Sequence, residues 1–298
     1  MNEKGNDSIM EMIYDAAIIG TGPAGLSAAL NLKIRNKNFI WIGSRAFSDK
    51  ISKAERISNY PGFTDASGPE LSAAFQAQAQ AMGLEITDQM VTSVIPVSGH
   101  YALMAGSEFY ETKTLILATG AGMNAVLPGE SEFLGRGVSY CATCDGNLYR
   151  GRTIAIICTN RRFESEAAFL VSLAGKVYFF PAYRDTALHA GNMEQPGSQI
   201  SEIIGDSRVT GIHLRNGIVL QTDGVFCLRD AVAYAALLPD LETEGGHIRV
   251  DRAMTTNLPG VYAAGDCTGR PYQYAKAVGE GNVAAHSVLA YLASAEKS

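Results

Sequence analysis

A glycine-rich loop set between an apolar run and a helical run constrains this chain more than any other feature. Tyr14–Ile19 is short and apolar and reads as a buried parallel strand. Gly20-Thr21-Gly22-Pro23-Ala24-Gly25 follows at once, Ala24–Arg35 reads as an Ala-rich helix, and Phe39–Ile42 supplies the next strand. That order is the start of a parallel α/β sheet, the context a bare GxGxxG needs before it carries meaning. There Gly20 permits the tight turn, Gly22 lets a pyrophosphate approach the backbone, and Gly25 lets helix and strand pack closely. The helix N-terminus then faces the phosphates. One expected element is missing: Gly43 and Ser44 stand where an acidic residue usually ends the second strand to hold a ribose.

A second unit of the same kind begins later. Thr153–Ile157 reads as a strand, Glu164–Ala174 as a helix and Lys176–Phe180 as another strand. Between the two units, Gly68–Met82 reads as a helix, and Glu85–Val94, His100–Ala105 and Thr114–Leu117 read as strands. The chain closes with a strand at Gly260–Ala263, then Gly265-Asp266, then a helix from about Gly279 to Ala293. The expected class is α/β, with two nucleotide-binding-type, Rossmann-like domains, the second inserted in the first. Residues 1–111 and 234–298 are expected to form one discontinuous domain and residues 112–233 the insert.

Length and composition fit this plan. At 298 residues there is room for two cores. A net charge of −6 argues against a general nucleic-acid binder. No apolar run approaches bilayer length, so no membrane role is expected. The polar stretch Met1–Glu11 lacks the apolar core of a signal peptide, and a cytoplasmic location is expected.

The chemistry is concentrated in Cys141-Ala142-Thr143-Cys144-Asp145-Gly146. Two cysteines two residues apart can close a small disulfide and reopen it as a dithiol. Half a zinc site is the first competing reading, but there is no second CxxC, and His100, His189, His213, His247 and His286 are scattered, so no metal is expected. Two buried bystander thiols is the other. The flanking Asp145-Gly146 and the two nucleotide-type units favour redox work, in which one thiolate attacks a partner disulfide and the other resolves the mixed intermediate. Asp145 is the local candidate for managing protons, with turn initiation or helix capping as its plainer role. Cys158, Cys227 and Cys267 sit in or beside apolar runs and read as buried core residues.

The hexapeptide, the opening loop, Asn59-Tyr60-Pro61-Gly62-Phe63, Ala118-Thr119-Gly120 and Pro259-Gly260-Val261-Tyr262-Ala263-Ala264-Gly265-Asp266 together resemble the low-molecular-weight thioredoxin reductases, in order and over nearly the whole chain. The resemblance implies FAD in the end-to-end domain. Gly20, Gly22, Pro23, Ala24 and Gly25 would hold its pyrophosphate, Val91 would meet the adenine through its backbone, and Asn59, Thr119 and Gly120 would lie near the ring or the ribityl chain. Gly265-Asp266 would reach a ribityl hydroxyl, and Tyr274-Ala275 would approach the ring. It also implies that Cys144 faces the flavin, that Cys141 attacks thioredoxin, that the insert rotates between the two, and that the protein is a homodimer.

The departures from that family lie mainly in one place. Its second glycine loop maps onto Cys158-Thr159-Asn160-Arg161-Arg162-Phe163-Glu164-Ser165-Glu166, without a glycine, and its His-Arg-Arg grip on NADPH maps onto Pro181-Ala182-Tyr183. Near the flavin, its Arg-Gln pair maps onto Gln273-Tyr274. Two contacts with one cofactor are gone, so NADPH is not expected to bind. In that loss the chain is similar to the ferredoxin-dependent flavin thioredoxin reductases, which implies ferredoxin as electron donor. Arg150, Arg152, Arg161 and Arg162 could attract an acidic protein or simply be a solvated surface. Three rival readings stand beside this one: a diflavin enzyme with a second FAD near Tyr183 or Phe163, an oxygen-using dithiol oxidase, and a redox sensor using the CxxC as a switch.

Overall fold

The computed structural model describes residues 13–47, 51, 54–120, 127–130, 132–140, 142–229 and 234–295. In chain order the first strands and helices are β1 (Ala16–Ile19), α1 (Pro23–Ile34), β2 (Phe39–Ile42), α2 (Gly68–Ala81), β3 (Val91–Val97), β4 (His100–Ala105), β5 (Glu108–Thr112) and β6 (Leu115–Leu117). Then follow β7 (Val138–Ser139), α3 (Ala142–Asp145), β8 (Thr153–Cys158), α4 (Glu164–Leu173), β9 (Lys176–Pro181) and β10 (Met193–Glu194). An antiparallel group, β11 (Ile200–Gly205), β12 (Val209–Leu214) and β13 (Val219–Gln221), precedes β14 (Gly224–Leu228). The chain ends with α5 (Tyr234–Leu237), β15 (Thr243–Glu244), β16 (His247–Ile248), β17 (Val261–Ala263) and α6 (Tyr274–Ala295).

Two parallel sheets organise the molecule. The first has the order β17-β6-β1-β2, with Ala16 opposite Phe39, Ala17 opposite Leu115 and Leu115 opposite Val261. The second has the order β10-β9-β8-β14-β7, with Ile154 opposite both Val177 and Gly224. The chain leaves the first sheet after β6 and returns to it only for β17. β6 pairs with both β1 and β17, so the first sheet takes in Leu115–Leu117.

Both faces of the first sheet are covered, which is why its strands are continuously apolar. Ala16 and Ile18 pack with Trp41, Leu32, Ala284, Val288 and Leu292 on the side of α1 and α6. Ala17, Ile19, Leu115 and Leu117 pack on the opposite side with Val94 and Leu103 of the β3–β5 meander. Helix α6 begins five residues earlier than the sequence reading expects, running through Gly279 and Gly281. Gly281 is explained by packing: a Cβ there would lie 2.1 Å from the Ala24 carbonyl oxygen, so α1 and α6 cross too closely for a side chain. The strand expected from Glu85 begins only at Val91; Thr87 instead makes an isolated bridge to Ile42. Among the described residues no helix is long and apolar enough to cross a membrane, and no cluster of His, Cys, Asp or Glu could hold a metal.

Candidate active site

A cleft of about 920 Å³ opens at the carboxyl ends of β1 and β2, at the N-terminus of α1. This is where a parallel sheet receives a ligand. Gly20 has φ +114°, and a Cβ on it would meet the Ala118 carbonyl oxygen at 2.2 Å. A Cβ on Gly25 would lie 2.0 Å from the Gly20 carbonyl oxygen, so Gly25 packs helix on strand rather than lining the cleft. A Cβ on Gly22 would meet nothing within 4 Å. Gly22 caps α1 without a side-chain bond, and the first turn carries no acidic residue, so the helix N-terminus presents bare amides to the cleft. The loop is held from behind by Trp41, whose Nε1 donates to Gly20 O at 2.9 Å, and by Thr21, whose Oγ1 donates to Ser44 O at 2.7 Å.

Across the cleft, the turn after β17 carries Gly265 and Asp266. Lys276 and Glu280, one turn apart on α6, clasp that turn. Lys276 Nζ donates to Gly265 O and Gly269 O, both at 2.9 Å, and to Glu280 Oε2 at 3.0 Å. Glu280 Oε2 in turn accepts from Gly265 N at 2.8 Å. The hydroxyl of Thr119 is buried at the cleft wall without a hydrogen-bond partner. Such an orphaned donor calls for a polar ligand group.

The carboxyl end of β8, where a second dinucleotide loop would stand, is built differently. Asn160 is extended at φ −146°, and its side chain accepts from Arg162 N at 3.2 Å, so a short helical turn at Arg161–Phe163 takes the place of a glycine loop. Glu164 Oε1 accepts from Tyr183 Oη at 2.9 Å, Thr186 Oγ1 at 2.7 Å and Ala187 N at 3.3 Å. Those bonds, the one from Thr186 foremost, hold its carboxyl below the ordinary value. Tyr183 Oη also lies 3.4 Å from Cys158 Sγ, and Arg161 donates to the carbonyls of Arg184 and Asp185. The chain's own side chains thus take up the bonding capacity at the head of β8. The same turn sends Arg162 and Phe163 into the first cleft together with Glu166, and the Arg162 guanidinium sits 4.9 Å from the centre of the Phe163 ring.

A family model described as pyridine nucleotide-disulphide oxidoreductase matches residues 14–157 and 182–281. The chain belongs to that family. A thioredoxin reductase of Treponema pallidum is 33% identical, over 95% of this chain and 98% of that one. Among solved structures, a ferredoxin-flavin thioredoxin reductase from Clostridium acetobutylicum superimposes with a TM-score of 0.89 at 42% identity, covering 96% of this chain and all of that one. A thioredoxin reductase from Gloeobacter violaceus gives a TM-score of 0.76 at 29% identity, covering 94% of each chain. The pyridine nucleotide-disulphide oxidoreductase family implies FAD, and the first cleft fits it: bare helix amides, an open approach at Gly22 and the orphaned Thr119 hydroxyl suit a polar dinucleotide.

Of the residues expected at the cofactor, Gly20, Gly22, Pro23, Ala24, Val91, Thr119, Gly120, Gly265, Asp266 and Tyr274 line the cleft. Gly25, Asn59 and Ala275 do not. Asn59 stands one residue back, its Nδ2 donating to Gln273 Oε1 at 2.6 Å, and Gln273 lines the cleft in its place. Cys144 is disulfide-bonded, while Cys158, Cys227 and Cys267 are free and buried. Cys141 lies outside the described residues. Cys144 is exposed and does not line the cleft; its sulfur lies 3.5 Å from Gly106 O at the β4–β5 turn. Asp145 is half-buried, and its carboxyl makes no capping bond to the short turn that follows. The four arginines that could attract an acidic protein are split by β8. Arg150 and Arg152 precede the strand and Arg161 and Arg162 follow it, about 20 Å away for six residues.

Sequence reasoning missed Lys276, Glu280, Glu166 and the cleft-facing role of Arg162 and Phe163. The i,i+4 spacing of Lys276 and Glu280 was an available signal. For the other three, no local pattern says that the head of α4 faces the first cleft.

Proposed function

We propose that this protein is an FAD-dependent thioredoxin reductase that takes its electrons from reduced ferredoxin rather than NADPH. The observation that carries this reading is the self-bonded head of β8. There Asn160 takes the Arg162 amide, and Glu164 takes the Tyr183 hydroxyl and the Ala187 amide, so groups that a nicotinamide dinucleotide or a second FAD would use are already bonded within the chain. That also weighs against the diflavin reading. The names of the Clostridium acetobutylicum and Treponema pallidum relatives support the donor and the acceptor respectively.

Bound FAD supplies a carrier that accepts electrons singly and delivers them in pairs. Gly22, Thr119 and Asp266 would hold it on the first unit, with Gly20 and Gly265 around them. Two electrons and two protons convert the Cys141–Cys144 disulfide to a dithiol, with Asp145 as the adjacent proton-handling group. The Cys141 thiolate attacks the partner disulfide and forms a mixed disulfide. Cys144 then attacks Cys141, the internal disulfide reforms, and the partner leaves as a dithiol. Because Cys144 stands outside the cleft, the second unit must swing to bring the pair to it, and we propose that the chain divides for this motion after β6 and before α5. A homodimer is the assembly expected for this reading. Ferredoxins lie near about −400 mV and thioredoxin near about −270 mV, a gap worth roughly 6 kcal/mol for two electrons.

The test is anaerobic flavin absorbance with NADPH, NADH and reduced ferredoxin added in turn, thioredoxin being present as acceptor. Bleaching by ferredoxin alone, followed by the appearance of thioredoxin thiols, is expected. Fast bleaching by NADPH would overturn the reading. Rapid oxygen uptake with small dithiols would favour a dithiol oxidase instead.

A further inference from the structure

A buried polar cluster lies apart from the cleft and the degenerate loop. The Glu130 carboxylate is 0% exposed and the Arg229 side chain 4%. Arg229 Nη2 donates to Glu130 Oε2 at 3.1 Å, and the same oxygen accepts from Leu127 N at 3.0 Å. The other carboxylate oxygen accepts from Tyr140 Oη at 2.6 Å. The Arg229 guanidinium lies 6.0 Å from the Tyr140 ring centre, and the Cys227 thiol packs within the group. Burial, with Glu130 beside it, pushes the Tyr140 phenol and the Cys227 thiol well above their ordinary ranges, so both are neutral.

The positions of these residues in the chain give the cluster its meaning. Glu130 follows the segment by which the chain leaves the first sheet, and Arg229 immediately follows β14, where it starts back. Tyr140 is the last residue before the CxxC. One carboxylate therefore joins both connections between the sheets to the segment that enters the redox motif. A buried ion pair is a poor source of net stability, because desolvation offsets most of the attraction, but it tolerates few geometries and so specifies one.

We propose that Glu130 is a positioning residue for the redox cysteines: held by Arg229 at the return connection, it fixes Tyr140 and, through it, the entry to the Cys141–Cys144 pair. This rests on the redox reading of that pair. Dithiol and disulfide need different sulfur spacings, so a segment held at one end biases their equilibrium.

The experiment equilibrates the FAD-loaded protein anaerobically with dithiothreitol redox buffers and counts alkylated thiols by mass. Tyr140→Phe removes only the hydroxyl. It is expected to move the thiol–disulfide constant by about threefold or more, which is about 14 mV for a two-electron couple. Glu130→Gln is expected to move it in the same direction. Tyr262→Phe, which deletes a hydroxyl bonded to Ser287 O in the first unit, serves as the control and should lower thermal stability without moving the constant. A Tyr140→Phe protein that loses stability while keeping the wild-type constant would reduce the cluster to a structural role and overturn the proposal. Should Glu130→Gln fail to fold, Tyr140→Phe decides alone. A wild-type pair that never exchanges with dithiothreitol would overturn the redox reading, and this proposal with it.

Discussion

The heads of β1 and β8 begin from the same plan and end as opposites. Each is the carboxyl end of a central parallel strand, and each leads into a helix. At β1 the loop presents a glycine with empty space at its missing side chain, a helix N-terminus without a cap, and an unpartnered hydroxyl facing it. At β8 the corresponding turn is capped by Asn160, and Glu164 accepts three hydrogen bonds from the chain itself. A nucleotide site is thus a deliberate lack of internal satisfaction. Supplying such partners from within, as the head of β8 does, leaves the parallel α/β plan untouched.

The largest effects are expected on the open side. Gly25→Ala would force a methyl to 2.0 Å from a backbone carbonyl, which cannot yield as a flexible side chain could. A loss of about 3 kcal/mol is expected, with flavin lost on gel filtration. Gly22→Ala should behave differently: its methyl meets no protein atom, so thermal stability of the flavin-free protein should hold while FAD affinity falls. Equal damage to stability from both substitutions would show that the open space at Gly22 is not the ligand's. On the closed side, Asn160→Ala should cost about 1 kcal/mol through the lost cap and still give no bleaching by NADPH.

The sequence made the open loop legible because its signals are local: an apolar run, three glycines at fixed spacing, and a helix. The CxxC was legible for the same reason. The start of α6 was not, because glycine in a helix reads as a break until the contact of Gly281 with Ala24 explains it. Nor was the position of Cys144 outside the cleft, which depends on how segments far apart in the chain pack against one another. Glu130 and Arg229 stand 99 residues apart, and no window of sequence joins them. The missing glycines told that the second loop was degenerate, but only the geometry of Tyr183 and Glu164 told that it was filled.

The filling itself can be loosened by a smaller change. Tyr183→Phe keeps the ring and removes the hydroxyl shared between Glu164 and Cys158. It should cost about 1 kcal/mol, or about 2–4 °C in melting temperature. Flavin content should not change, since Tyr183 does not line the cleft. A gain of NADPH-dependent bleaching from this one substitution would mean that the hydroxyl alone had been closing a competent site, and that the missing glycines matter little.

The smallest effect separates two carboxylates on one turn of α4. Glu164 serves the filled site, and its folded pKa is lowered from 4.5, by the Thr186 hydroxyl first. Glu166 faces the open cleft, and burial raises its folded pKa from 4.5 against a weaker opposing pull from Arg162. The signs are opposite. The Glu164 contribution to stability is present above its unfolded value and is lost as pH falls through the depressed folded one. The Glu166 contribution is fully present below the unfolded value and is lost as pH rises through the raised one. From acid to neutral pH, Glu166→Gln should therefore gain on wild type as the wild-type carboxyl ionises, while Glu164→Gln should weaken the protein at neutral pH and flatten its acid limb. Melting curves of the three flavin-free proteins across that range test it. Parallel pH profiles for wild type and Glu166→Gln would show that the carboxyl stays in water, and that the second unit does not press the head of α4 against the cleft as its contacts indicate.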